Sequence, residues 1–262
     1  MLERIIAADA LGVVFQPIRR LGSGRVVAYE VLGRMLRPVD DVPVLGPAEL
    51  VELGAIENRL FELERAWRRV AIKRIAEVVT DNATRFFLNV DTRIVNDPRF
   101  RPGTTRALLE RYGLSPERFV FELGERDPEL GSQRIADLLE HYAMQGFDAA
   151  LDDLGTGYAS LYALVSLRPH IAKLDRALVA GISGDPLRRD LVSALADFAN
   201  KSSIELIAEC IETAEDRDTL LELGVPFGQG YLLGRPAPDP VDPEPPPGPV
   251  SSRRHLVLVR SA

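Results

Sequence analysis

Short runs rich in valine, isoleucine and phenylalanine alternate along this 262-residue chain with longer stretches whose apolar residues recur every three or four positions. The short runs read as buried strands over Val13–Ile18, Arg25–Leu32, Phe86–Val90, Phe119–Leu123, Asp148–Asp152, Ile171–Leu174 and Ile204–Ala208, with another near Phe227–Tyr231. The longer stretches read as amphipathic helices. Leu60, Leu63, Trp67 and Val70 make one apolar stripe, Leu138, Leu139 and Tyr142 belong to a second, and Leu191, Leu195 and Phe198 to a third. The third opens at Asp185-Pro186, a capping residue followed by proline at the first helical position. Eight strands with helices between them predict an α/β fold, a closed (β/α)8 TIM-like barrel, over an open doubly wound sheet.

Two segments break the rhythm. Only Arg19–Gly24 joins the first two strands, too short for a helical crossover, so one antiparallel strand is expected at the start of the barrel. After residue 236 the chain becomes rich in proline and acids, which predicts a barrel over residues 1–236 and a solvated linker or tail over 237–262. Within that tail Arg253–Val259 reads either as an edge strand or as the stump of another domain.

Composition narrows the functions. The formal net charge of −7 argues against a DNA-binding or membrane-surface protein, since either needs a basic face. The cluster Arg65, Arg68, Arg69, Lys73 and Arg74 reads as a solvated helix face. No run is long and apolar enough to span a membrane and no basic-then-apolar leader opens the chain, so a cytoplasmic location is expected. The single cysteine, Cys210, offers no disulfide and no zinc site, and reads as a small buried hydrophobe.

The chemistry lies at the strand ends. In order they carry Gln16, Glu30, Asn89, Glu122, Asp152 with Asp153, Lys173, Glu209 and Gln229. A barrel gathers such positions at one mouth, where five carboxylates repel unless cations neutralise them. An all-oxygen ligand set suits hard ions, Mg2+ or Mn2+, and a pair of such ions activates water for attack on phosphorus. Successive side chains of a strand point to opposite faces, so Asp152 and Asp153 are expected to share a site because the strand ends there, in the turn Leu154-Gly155-Thr156-Gly157-Tyr158. Lys173 is placed to hold a water or to neutralise phosphoryl charge.

These residues resemble the EAL domain of bacterial cyclic di-GMP phosphodiesterases. The match runs through Phe15-Gln16-Pro17-Ile18, Glu30-Val31-Leu32-Gly33-Arg34, Leu88-Asn89-Val90, Phe121 to Glu125, Asp152 to Tyr158, Lys173 to Arg176, Ala208 to Glu212 and Gln229 to Leu232, in the family's order. The resemblance implies metal-dependent hydrolysis of cyclic di-GMP to linear pGpG, lowering the messenger. It implies that Glu30, Asn89, Glu122 and Asp152 hold one metal, and that Asp152, Asp153 and Glu209 serve a second or its water. Glu209 would be the general base and Lys173 would orient the catalytic water. Gln16, Arg34 and Gln229 would contact the dinucleotide, and Glu125 would anchor the loop after Asp153. A homodimer is implied, and regulation would come through it or through a partner protein. The alternative is a receptor that binds cyclic di-GMP without cleaving it, or a partner-binding module. Val31, Gly124, Leu154 and Cys210 depart from the family's usual Ala, Thr, Phe and Gly, as does Gly54-Ala55 from its usual Ala-Glu.

Overall fold

A computed structural model describes residues 1–79, 81, 83–100, 103–124, 138, 140–155, 164–165 and 168–240. Eight strands close into a barrel in sequence order: β1 (Leu11–Arg20), β2 (Val26–Met35), β3 (Arg85–Val90), β4 (Phe119–Leu123), β5 (Asp148–Leu154), β6 (Ile171–Leu174), β7 (Glu205–Ala208) and β8 (Phe227–Gly228). β1 runs antiparallel to both β2 and β8, and all other neighbours are parallel. The antiparallel start is therefore as expected. The hairpin strands are longer than the composition suggested, because their pairing continues from Leu11↔Met35 down to Arg19↔Val26. The last strand is shorter, two residues in place of the expected five.

Around the barrel lie α1 (Leu2–Ala7), α2 (Pro47–Ile56), α3 (Leu60–Val78), α4 (Thr104–Arg111), α5 (Pro186–Lys201) and α6 (Ala214–Glu222). Asp185 caps α5, its carboxylate accepting from the Arg188 N–H, with Pro186 at the first turn as its sequence predicts. The apolar stripe foreseen on α5 is only half right. Leu195 is buried, but Leu191 and Phe198 face outward and the inward face is Val192, Leu195, Ala196 and Ala199. Small alanines there let the helix lie close to the sheet.

The period of two along each strand sets the layering of the barrel interior. Ile18, Ala28, Phe87, Val120, Ala150, Ile171 and Ile207 form one apolar cluster inside the ring, with Phe227 packed against it. Two residues further toward the mouth on each strand stand Gln16, Glu30, Asn89, Glu122, Asp152, Lys173, Glu209 and Gln229. The polar positions read from the sequence are thus one complete layer, resting on an apolar floor that keeps water out from below. The alternate residues face outward and pack against helices, Phe86, Leu88, Phe119 and Phe121 in one cluster and Leu174, Leu206 and Ala208 in another.

Closure between β1 and β8 rests on little backbone pairing. The register there is Arg19↔Gly228 and Arg20↔Phe227 alone. Side chains of β1 extend the joint: Gln16 Nε2 donates to the Gly234 carbonyl at 3.2 Å, and the fully buried Arg19 donates through Nε to the Leu233 carbonyl at 2.8 Å. Beyond them Phe15 and Ala237 exchange backbone hydrogen bonds of 2.7 and 2.9 Å. Arg74 on α3 pairs with Asp239, so contacts with the barrel continue past residue 236. The Arg253–Val259 segment lies outside the described residues.

Candidate active site

Lys173 is the hub of the polar layer. Its Nζ lies 2.5 Å from Glu209, 2.6 Å from Glu122, 3.3 Å from Asp152 and 3.9 Å from Glu30, and the side chain is 1% exposed. Burial alone favours the neutral amine. The charges of Asp152, Glu122, Glu209 and Glu30 outweigh it and hold the ammonium well above its ordinary pKa. Glu30 in turn accepts from Asn89 Nδ2 at 2.8 Å and from Gln229 Nε2 at 2.7 Å, one donor on each oxygen.

One ammonium does not balance this set. Charges about 4 Å apart interact by about 4 kcal/mol at an effective dielectric near 20, and Glu30, Glu122, Asp152 and Glu209 share Lys173, with Asp153 beside Asp152 and Glu209. The imbalance shows in the carboxyl groups. Burial raises Glu122 well above its ordinary pKa, and the charges of Glu30, Asp152 and Glu209 add to it. Glu209 is pushed up to about 7, by burial first and then by Asp152 and Glu30. Among the described residues, Glu122 Oε2 and Gln229 Oε1 are buried without a hydrogen-bond donor, and Glu122 Oε1 and Asp152 Oδ1 face only the Lys173 ammonium. Asp152, Asp153 and Glu209 each bring an oxygen within 4.8 Å of the others. Orphaned acceptors beside a tight trio of carboxylates fit a hard divalent cation, whose charge and coordination would satisfy both.

The two adjacent aspartates reach one site by a different device from the one expected. β5 does not end at Asp152 but runs on to Leu154, which pairs with Leu174 and is buried. The register against β6 shifts between Leu151 and Leu154, and Asp153 takes a left-handed backbone, φ 59°. A bulge within the strand, not its termination, turns the second carboxylate inward. Aspartate tolerates this conformation better than most residues. Cys210 repeats the device after Glu209, with φ 55°, where the family usually has glycine. It is half-buried, and burial together with the neighbouring Glu209 charge raises its thiol pKa, so it carries no thiolate chemistry.

A cavity of about 970 Å³ opens above this layer. Glu30, Asn89, Asp152, Asp153 and Glu209 line it, together with Arg34. Gln16, Glu122, Lys173 and Gln229 do not: they are 9%, 1%, 1% and 3% exposed and form the understorey that holds the upper groups. The sequence placed all of them together without separating these two tiers. Gln16 and Gln229 are engaged with Gly234 and Glu30, whereas Arg34 presents a half-buried guanidinium whose Nη1 donates to the Gly33 carbonyl. Glu125 lies outside the described residues, as do Gly157 and Tyr158.

Sequence reasoning missed the outer wall. Trp67, expected in the helix core, lies half-buried along the cavity and its ring packs against Gly33, leaving no room there for a side chain. Arg68 is not part of a solvated face. Its guanidinium lies 3.5 Å from Glu64 and 5.2 Å above the Phe121 ring, and Nη1 reaches Thr105. Glu64 also lines the cavity, accepts from the Asp91 N–H at 3.4 Å, and is pushed up to about 7 by burial, with the Asp91 charge assisting. The i, i+4 spacing of Glu64 and Arg68 was the available signal.

Because folding raises the Glu64 pKa, the folded chain binds this proton more tightly than the unfolded chain. The group therefore loses stability as pH rises from about 4.5 through 7. Glu64→Gln is expected to remove up to about 3 kcal/mol of that decline between pH 5 and pH 8. Urea unfolding of both proteins across that range measures the difference, and parallel pH profiles would contradict it.

Fold and site together define a (β/α)8 barrel whose mouth carries a lysine-bridged acidic cluster suited to a hard cation. A family model described as EAL domain matches residues 1–236. The chain belongs to the EAL domain family. It is 31% identical over 242 residues to cyclic di-GMP phosphodiesterase PdeF of Escherichia coli (strain K12), covering 90% of this chain and 31% of PdeF. It is 35% identical over 131 residues to the probable cyclic di-GMP phosphodiesterase PdeA of the same strain, covering 50% of this chain and 18% of PdeA. The chain thus spans under a third of the length of either relative. Among solved structures, the FimX EAL domain from Pseudomonas aeruginosa bound to c-di-GMP superposes with a TM-score of 0.81 at 23% identity, over 92% of this chain and 97% of that one. The PaMucR phosphodiesterase in its c-di-GMP complex gives 0.79 at 23% identity, over 90% and 96%. No helix among the described residues is long and apolar enough to cross a membrane.

Proposed function

We propose that this protein is a metal-dependent phosphodiesterase that hydrolyses cyclic di-GMP to linear pGpG. The observation that carries the reading is the complete polar layer, in which every acidic ligand position of the family keeps its carboxylate. Relatives of this chain are named cyclic di-GMP phosphodiesterases, which supports the substrate. Asp152, Asp153 and Glu209 would hold the cation, with Glu30, Asn89 and Glu122 completing the set, and Mg2+ or Mn2+ in a pair is the expected occupant. Bound there, it would supply an activated water and neutralise charge on phosphoryl oxygens.

The chain's own groups do the rest. Lys173 holds Glu122, Asp152 and Glu209 together from below and keeps the layer from splaying under its own repulsion. Glu209, protonated more readily than an ordinary carboxyl, is suited to take a proton from the attacking water near neutral pH. Arg34 at the cavity wall meets a phosphate, and the apolar floor of Ile18, Phe87, Val120 and Ile171 excludes water from beneath. Gln16 and Gln229 act on the dinucleotide through the groups they steady. A cytoplasmic location and a homodimer belong to the same reading.

A product assay with cyclic di-GMP and Mn2+ or Mg2+, reporting the linear dinucleotide, tests it. Expected is turnover that chelation removes. Binding by calorimetry without product under either metal would establish the non-hydrolysing receptor instead.

A further inference from the structure

The cavity has a second wall that the acidic layer does not use. One face of α2 supplies Pro47, Ala48, Val51, Ala55 and Ile56, and Trp67 of α3 lies along the same space. On this otherwise apolar wall stands one carboxylate, Glu52. Among the described residues it has no hydrogen bond and no ion pair, unlike Glu49 on the same helix, which accepts from the Gly46 N–H at 2.6 Å. An unpaired carboxylate beside a bound dianion is unfavourable unless what faces it is a hydrogen-bond donor.

Cyclic di-GMP offers one such edge. Guanine carries N1–H and the exocyclic N2–H2 side by side, two donors that a carboxylate accepts together, whereas the adenine edge puts a ring acceptor at that place. We propose that Glu52 is a specificity-determining residue that reads the Watson–Crick edge of one guanine lying between α2 and Trp67. This rests on the functional reading above and adds the group that selects the base. The carboxylate touches no reacting atom, so its loss acts on affinity and leaves the chemical step alone.

The experiment compares wild type with Glu52→Ala and Glu52→Gln on three dinucleotides: cyclic di-GMP, cyclic di-IMP, which lacks the exocyclic amine, and cyclic di-AMP. In wild type, cyclic di-GMP is expected to have the lowest KM. In Glu52→Ala its KM rises about tenfold or more with kcat within about twofold, while cyclic di-IMP, which keeps N1–H, rises less and cyclic di-AMP changes little. Glu52→Gln, which keeps one acceptor, falls between. Thermal unfolding of each variant confirms that the exposed helix face tolerates the change. Unaltered discrimination among the three in Glu52→Ala overturns the assignment while leaving the phosphodiesterase intact. Failure of the wild-type protein to bind or cleave cyclic di-GMP at all overturns both.

Discussion

Replacing Lys173 with alanine is expected to lower the unfolding free energy by about 3–5 kcal/mol in metal-free buffer, the scale seen when one partner of a buried charge set is removed. The substitution takes away the cation that pairs with Glu30, Glu122, Asp152 and Glu209 and leaves a cavity where a long side chain was 1% exposed. The carboxyl groups would answer by taking up protons, so the loss should be smaller at pH 5 than at pH 8. Divalent cations should restore part of the stability in the variant and to a greater extent than in wild type. Urea titrations with a chelator and with MnCl2 measure both effects. A shift below about 0.5 kcal/mol would mean that Lys173 does not balance the layer.

Glu30→Ala is expected to lower turnover of cyclic di-GMP by about a thousandfold or more, some 4 kcal/mol of barrier, with a far smaller change in stability. Glu30 sits where the layer meets the cavity, and it fixes Asn89 with one oxygen and Gln229 with the other. Its removal frees both amides and, on the proposed reading, takes away a metal ligand, yet it also relieves repulsion among the remaining acids, which offsets the lost hydrogen bonds. Steady-state kinetics beside a melting curve separates the two consequences. Turnover within tenfold of wild type would exclude Glu30 from the metal site.

Much of this was legible before any coordinates. The strand runs and the short Arg19–Gly24 link defined the ring and its reversed first strand, because burial on both faces makes a barrel strand apolar enough to stand out. The polar residue near the end of each run marked the mouth. Visible in hindsight is the spacing beneath it: each of those residues stands two positions from an interior apolar one, Glu30 from Ala28, Glu122 from Val120, Lys173 from Ile171. Three things were not legible. The α5 face was misassigned because small alanines, not the larger Leu191 and Phe198, meet the sheet. The bulge at Asp153 depends on pairing with β6, a long-range contact that no local pattern carries. The α2 wall depends on how one helix leans over the mouth, so Glu52 and Trp67 acquire meaning only in three dimensions.

The short last strand leaves two of the eight joints with only two paired rungs each, the one to β7 and the closing one to β1. Between β1 and β8 a pair of amide and guanidinium side chains stands in for missing backbone rungs, and the residues on either side of that joint are Gln16 and Gln229. Hydrogen exchange should therefore begin there, with the amides of Phe15 and Leu21 trading protons sooner than those of β4. A ligand gripped on both sides of the joint would act as a latch, and the same protein would then exchange more slowly when occupied than when empty.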